Sequence, residues 1–206
     1  MAHALLLEQP VVVHTRPAIE MDDDQFFKLC QVNRDLQLER SAEGDILIMA
    51  PEGGSSVSGG SELIVVFGIW ARQDGRGRVF GSSTGFKLPN GAIRAPDVAW
   101  VRNERIEGLS EEEWRRFLPL CPDFVIELRS PSDGLAALRR KMEEYRENGT
   151  QLGWLLDPVA RSVHVYRAGA AVEVLENPAL LSGEPLLRGF ALDVPQVWTA
   201  MDRRRS

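Results

Sequence analysis

Residues 121–158 read CPDFVIELRSPSDGLAALRRKMEEYRENGTQLGWLLDP, and the fold is decided here. Phe124–Leu128 is an almost continuous apolar run, as in a strand buried on both faces, interrupted by one acid, Glu127. Leu135, Leu138, Met142 and Tyr145 then recur at helical spacing, between a start signal at Ser132-Asp133 and a stop at Asn148-Gly149. A second apolar run, residues 152–156, ends at Asp157-Pro158. Strand, helix and strand in this order predict a βαβ crossover, hence an α/β class with a mixed β-sheet flanked by helices.

Working outward, residues 162–167 are expected to pair with residues 171–175. Upstream, residues 1–35 read as an arm with Pro10, Pro17 and the acidic run Asp22, Asp23, Asp24, followed by a short helix over residues 24–33. Residues 36–206 form the main body of what is expected to be one domain. Residues 36–40 and 45–49 make a hairpin around Ala42-Glu43-Gly44. The Gly/Ser-rich stretch PEGGSSVSGG, residues 51–60, reads as a loop, either a mobile lid or a substrate-contacting loop. Leu63, Val66, Phe67 and Trp70 then mark one buried helix face that stops near Asp74-Gly75. Residues 78–87 read as a strand, Pro89-Asn90-Gly91 as a turn, and residues 97–101 as another strand. Ser110 with Glu113 is a capping box for a short helix carrying Trp114 and Phe117.

Composition narrows the class. The 206 residues are 44% hydrophobic and 26% charged, which fits an ordinary globular chain and excludes collagen-like or disordered ones. Apolar runs fall far short of the roughly 20 residues of a membrane-spanning helix, and no secretory signal pattern opens the chain, so a cytoplasmic protein away from membranes is expected. Two cysteines, Cys30 and Cys121, are too few for a disulfide framework and are expected to be buried thiols. A net charge of −6 excludes coating nucleic acid by charge alone, but not local phosphate contacts around an acidic metal site.

Chemistry enters with Glu127. A carboxylate in an apolar strand is costly unless it is paired or binds metal. Arg129, two residues on, shares its face at a rise of about 6–7 Å, so a structural ion pair at the strand end is one reading. The other reading joins Glu127 to Asp97, which follows Pro96 at the start of a strand. Two acids at neighbouring strand ends suit a hard cation such as magnesium, which takes one or two carboxylates plus water and substrate phosphate. Asp123 is the second choice for such a site. Glu39 and Glu62 are further acids, the latter explained by a first-turn helix position. Ser130 and Ser132 lack a histidine partner, and Ser132 reads as a helix cap. His3, His14 and His164 are scattered and form no metal set.

The segments SSTGFKLPNGAIRAPDVAWV, LCPDFVIELRSPSD and KMEEYRENGTQLGWLLDP, in this order, resemble the PD-(D/E)XK nuclease superfamily, and within it the Uma2 family of restriction-endonuclease-like proteins. The resemblance runs from about residue 36 to residue 198. It implies a restriction-endonuclease-like core and a magnesium-dependent endodeoxyribonuclease, with manganese as a substitute, DNA as substrate and a homodimer as assembly. Asp97 and Glu127 then stand where the superfamily binds metal, with the Leu128 backbone carbonyl, and Glu39 stands at its additional acid. The superfamily lysine position, two after the acid, is Arg129. A guanidinium can stabilise charge but cannot act as a base, and Lys141 on the following helix is the candidate substitute. Arg72, Arg76, Arg78 and Lys87 are local cations for a polyanion. The alternative is a nuclease fold without catalysis, serving as a binding module. A serine hydrolase built on Ser130 or Ser132 is the third reading.

Overall fold

The computed structural model describes residues 10–49 and 53–202. Its first elements are β1 (Val11–Val13) and α1 (Asp23–Val32). A capping box starts α1: the Asp22 carboxylate accepts from Gln25 N and the Gln25 side chain accepts from Asp22 N. β2 (Leu38–Arg40) and β3 (Ile46–Ile48) form the predicted hairpin, turning at Gly44 with φ +99°, which favours glycine.

α2 (Gly54–Asp74) corrects the loop reading of the Gly/Ser stretch, since residues 54–60 are its opening turns. Pro51 and Glu52 lie outside the described residues. Weak helix propensity is overridden by packing, because Ser56, Gly59 and Leu63 are buried at helical spacing. A Cβ at Gly59 would lie 2.6 Å from Met201 Cγ and 2.9 Å from Leu128 Cδ2. Any larger residue here must push the Leu128 and Met201 side chains aside. Glu62 therefore sits well inside the helix, not in its first turn, and accepts a bond from Gln196 Nε2 at 2.6 Å.

The single strand expected over residues 78–87 is two, β4 (Gly77–Gly81) and β5 (Phe86–Lys87), in different sheets. A turn with Thr84 N bonded to Gly81 O at 3.0 Å redirects the chain between them. β6 (Ile93–Arg94) and β7 (Val98–Arg102) follow, then the short helices α3 (Asn103–Ile106) and α4 (Glu111–Trp114). The Ser110 and Glu113 capping box opens α4 as predicted, while Phe117 lies past its end against Phe26 and Phe27.

β8 (Phe124–Leu128), α5 (Leu135–Glu147) and β9 (Leu152–Asp157) are the predicted βαβ unit, with β8 and β9 parallel. α5 begins later than Ser132-Asp133 suggests. Asp133 turns its carboxylate back to Ser130 N at 2.8 Å, and Ser132 Oγ meets Ser130 Oγ at 2.8 Å, so neither caps the helix. β10 (Ser162–Arg167) and β11 (Glu173–Glu176) complete an antiparallel extension. β12 (Leu180–Ser182), β13 (Ala191–Asp193) and α6 (Val194–Met201) end the described chain.

The main sheet runs β11-β10-β9-β8-β7-β4, and a second sheet runs β1-β3-β2-β6-β5. All five residues of β8 are buried, so alternate side chains enter two cores. Phe124, Ile126 and Leu128 pack with Leu63 and Phe67 of α2 and Val197 and Trp198 of α6. Val125 packs with Met142 and Tyr145 of α5. Cys121 is buried and Cys30 half-buried, both as free thiols. No helix among the described residues is long and apolar enough to cross a membrane.

Candidate active site

Three separate segments meet at the end of β8. In the antiparallel β7–β8 pair, Val98 stands opposite Ile126, so Asp97 comes opposite Glu127. The Leu128 amide donates to Asp97 Oδ2 at 2.7 Å, tying the two strand ends together. From α5, Lys141 and Tyr145 share a face at i, i+4 and reach the same carboxylate oxygen. Lys141 Nζ is 2.8 Å from Glu127 Oε1, and Tyr145 OH donates to that oxygen at 3.1 Å.

Lys141 Nζ is also 2.8 Å from Glu39 Oε1, so one ammonium bridges an acid from each sheet. Glu39 is fixed further by Ala95 N at 2.9 Å and by Arg94 Nη1 at 3.2 Å. Arg94 in turn reaches Glu144 Oε2 at 2.5 Å. Glu39 and Glu127 are only 1% and 4% exposed. Burial alone would raise both carboxyls, but the Lys141 and Arg94 cations outweigh it at Glu39 and hold that acid below its ordinary value. At Glu127 burial wins, reinforced by Asp97 and Glu39 against the pull of Lys141, and its pKa is pushed up to about 8. Burial would lower Lys141, yet its two carboxylate neighbours raise it, so it stays a cation. Tyr145 is raised well above its ordinary value by burial and by the same two acids.

The structure thus brings together Asp97, Glu127, Lys141 and Glu39. Arg129 goes elsewhere. Its amide extends the ladder to Leu156 O at 2.9 Å, and its guanidinium pairs with Asp157 Oδ2 at 2.9 Å and bonds Asp133 O at 3.2 Å. It lies just past the end of β8, where the buried Asp157 at the end of β9 captures it. Asp123 lies at the opposite end of β8, held by Arg102 N at 3.0 Å and Arg105 Nη1 at 3.2 Å, so it is remote from Glu127. Arg94 and Glu144 were missed by the sequence reading, since Arg94 and Glu39 come from different hairpins with no fixed spacing, whereas Tyr145, read only as part of the buried stripe, sits four residues from Lys141, a spacing that could have signalled its contact with Glu127.

Among the described residues no cage of three or more His, Cys, Asp or Glu side chains is gathered. The donors at the two strand ends are carboxylate oxygens, which suit a hard cation that keeps several waters. Burial first, and then the crowded negative charge of Asp97 and Glu39, raise Glu127, and the second of these is the condition a divalent cation relieves. Asp97 and Leu128 open onto a cavity of about 1110 Å³ between α2 and β4.

No curated protein matches this sequence. Among solved structures, a crystal structure described as a "putative nuclease" from Anabaena variabilis ATCC 29413 has a similar fold. Its TM-score is 0.73 at 22% identity, covering 88% of this chain and 99% of that one. The family model that matches is Uma2, described as "Putative restriction endonuclease", over residues 23–195. That match takes in the main sheet, all of the second sheet but β1, α5 and every acid at the end of β8, and the chain belongs to the Uma2 family.

Proposed function

We propose that the protein is a divalent-metal-dependent endonuclease that hydrolyses DNA phosphodiester bonds, with the PD-(D/E)XK arrangement at the end of β8. The observation that carries this reading is Lys141 Nζ held at 2.8 Å from both Glu39 and Glu127, with Asp97 opposite Glu127. Asp97, Glu127 and the Leu128 carbonyl are the groups that would hold magnesium or manganese. A bound divalent ion supplies Lewis acidity at the phosphate and acidifies a water.

The chain's own residues do the rest. Lys141 has three donors, of which two go to Glu39 and Glu127, leaving one for a phosphate oxygen or the attacking water. Because it stays protonated, it stabilises the charge that builds on the phosphoryl oxygens and does not serve as base. Glu39 and Tyr145 hold the ammonium and the Glu127 carboxylate in place. Water adds to phosphorus and gives up one proton to solvent, the bond to the departing bridging oxygen breaks, and that oxygen takes up one proton, so the protons balance. Arg129, committed to Asp157, keeps the ends of β8 and β9 together. We further propose that a two-fold dimer cuts both strands.

The test is cleavage of supercoiled plasmid with magnesium or manganese by the parent, Asp97→Asn and Glu127→Gln, purified identically. Metal-dependent nicking by the parent alone is expected. Equal cutting by all three, or none by any together with no calorimetric metal binding, overturns the reading and leaves a catalytically silent nuclease fold.

A further inference from the structure

The cavity at Asp97 does not end beneath α2. It shares Arg72 of α2 and Gly77 and Arg78 of β4 with a second cavity of about 760 Å³, which continues over the free edge of the main sheet to Trp114 and Arg115. β4 is an edge strand, so this path follows backbone that no neighbouring strand covers. Arg72 and Arg78 are exposed and have no carboxylate partner among the described residues, while the cations around them are engaged: Arg76 by Asp74, and Arg102 and Arg105 by Asp123. Trp114 is 41% exposed, in a T-shaped contact with Phe80 at 6.0 Å between ring centroids and with the Arg78 guanidinium over its ring, 5.3 Å from the centroid. Glu107 and Glu111 line the far end, where Arg115 meets Glu111 at 3.1 Å.

Two cations without a carboxylate partner among the described residues, one of them lying over an exposed indole, along a groove that begins at the proposed catalytic acid, are the elements with which proteins hold a single strand: charge for the backbone and a ring surface for a base. An acidic peptide would meet the same arginines, but it has no use for an exposed indole beside them. We infer that the groove from Asp97 across β4 to Trp114 binds a single-stranded arm of the nucleic-acid substrate, with Arg72 and Arg78 on its phosphates and Trp114 stacked on a base. The preferred substrate is therefore a duplex carrying a single-stranded tail, not a blunt duplex. This inference rests on the nuclease reading for its choice of ligand, but binding is separable from cleavage.

The experiment is fluorescence anisotropy with a labelled blunt duplex, the same duplex bearing a single-stranded tail, and the tail alone, in EDTA so that nothing is cut. The expected result is binding of tailed over blunt duplex by on the order of tenfold, abolished by Trp114→Ala and partly retained by Trp114→Phe. Arg72→Ala with Arg78→Ala, both at exposed positions, should flatten the salt dependence of tail binding by about two in log–log slope. Equal affinity for tailed and blunt duplex, or tail binding indifferent to both the tryptophan and the arginine variants, overturns the inference even if magnesium-dependent cutting is found. Groove-dependent tail binding by a protein that never cuts would support the inference and defeat the nuclease reading. Displacement of the tail by an acidic peptide of equal charge, with unchanged affinity in Trp114→Ala, would assign the groove to a protein partner and overturn it.

Discussion

At Glu127 the balance of burial and charge sets two measurable pH dependences. The folded pKa, about 8, lies above the ordinary 4.5, so the folded state holds a proton that the unfolded state releases between those values. Its stabilising contribution is complete below about pH 4.5 and is lost as pH rises through about 8. His164, lowered from 6.5 chiefly by burial, acts with the opposite sign, so the comparison must be internal. Urea denaturation at about pH 5 and about pH 8 should show the parent losing stability relative to Glu127→Gln as pH rises, and parallel curves would refute the assignment. Affinity for manganese should climb over the same window, since a protonated carboxyl is a poor ligand. Lys141 and Arg129 separate in a second test. Lys141→Met leaves two buried acids without their shared cation, and should cost roughly 3–5 kcal/mol of stability and at least about 100-fold in cleavage. Arg129→Ala uncouples Asp157, whose carboxylate still accepts from Val159 N at 3.0 Å and Ala160 N at 3.2 Å, so a loss of about 1–3 kcal/mol is expected. Cleavage per folded molecule should then fall only severalfold, and a larger loss than in Lys141→Met would return the catalytic role to Arg129.

The elements show which sequence signals survive packing. β8, α5 and β9 were legible because a strand buried on both faces writes a continuous apolar run, and a half-buried helix writes a stripe. The opening of α2 was not legible, since Gly53 to Gly60 carry the composition of a loop and the cause of their helicity lies in Leu128 and Met201, far along the chain. A paired substitution makes the point testable. Gly60→Ala adds a Cβ with nothing within 4 Å and should stabilise by up to about 1 kcal/mol. Gly59→Val should destabilise by roughly 1–3 kcal/mol despite removing a glycine, because β8 and α6 must give way. Thermal melts in which both variants shift the same way would contradict the close approach. The acids followed the same logic: Asp97 and Glu127 stood out against apolar or proline-marked strands, and Lys141 at the edge of a helical stripe. The Glu39–Arg94–Glu144 chain joins two sheets and a helix, and no local period encodes it. The final β12, β13 and α6 were similarly silent, their three-residue strands separated by a segment with Gly183, Pro185 and Gly189.

For the molecule as a whole, the site exists only when both sheets and α5 are docked, because its members arrive on β2, ahead of β7, on β8 and on α5. Few of these groups are near each other in an unfolded chain, so a cation held by Asp97 and Glu127 binds the folded state almost exclusively. Such a ligand adds stability of RT ln(1 + [L]/Kd), about 2.7 kcal/mol at a hundredfold excess over Kd. In a chain of this size each kcal/mol moves the midpoint by roughly 2–4 °C, so saturating manganese should raise Tm by about 5–11 °C. Asp97→Asn and Glu127→Gln should each lose most of that rise, whereas the Arg72→Ala, Arg78→Ala double variant, whose side chains lie along the groove and not at the acids, should keep it. The three melts then distinguish causes that a cleavage assay merges. A full shift without cutting would mean that the metal binds but the tested DNA does not fit the groove. No shift in the parent at any manganese concentration would remove the metal from Asp97 and Glu127, and with it the hydrolytic reading of the site.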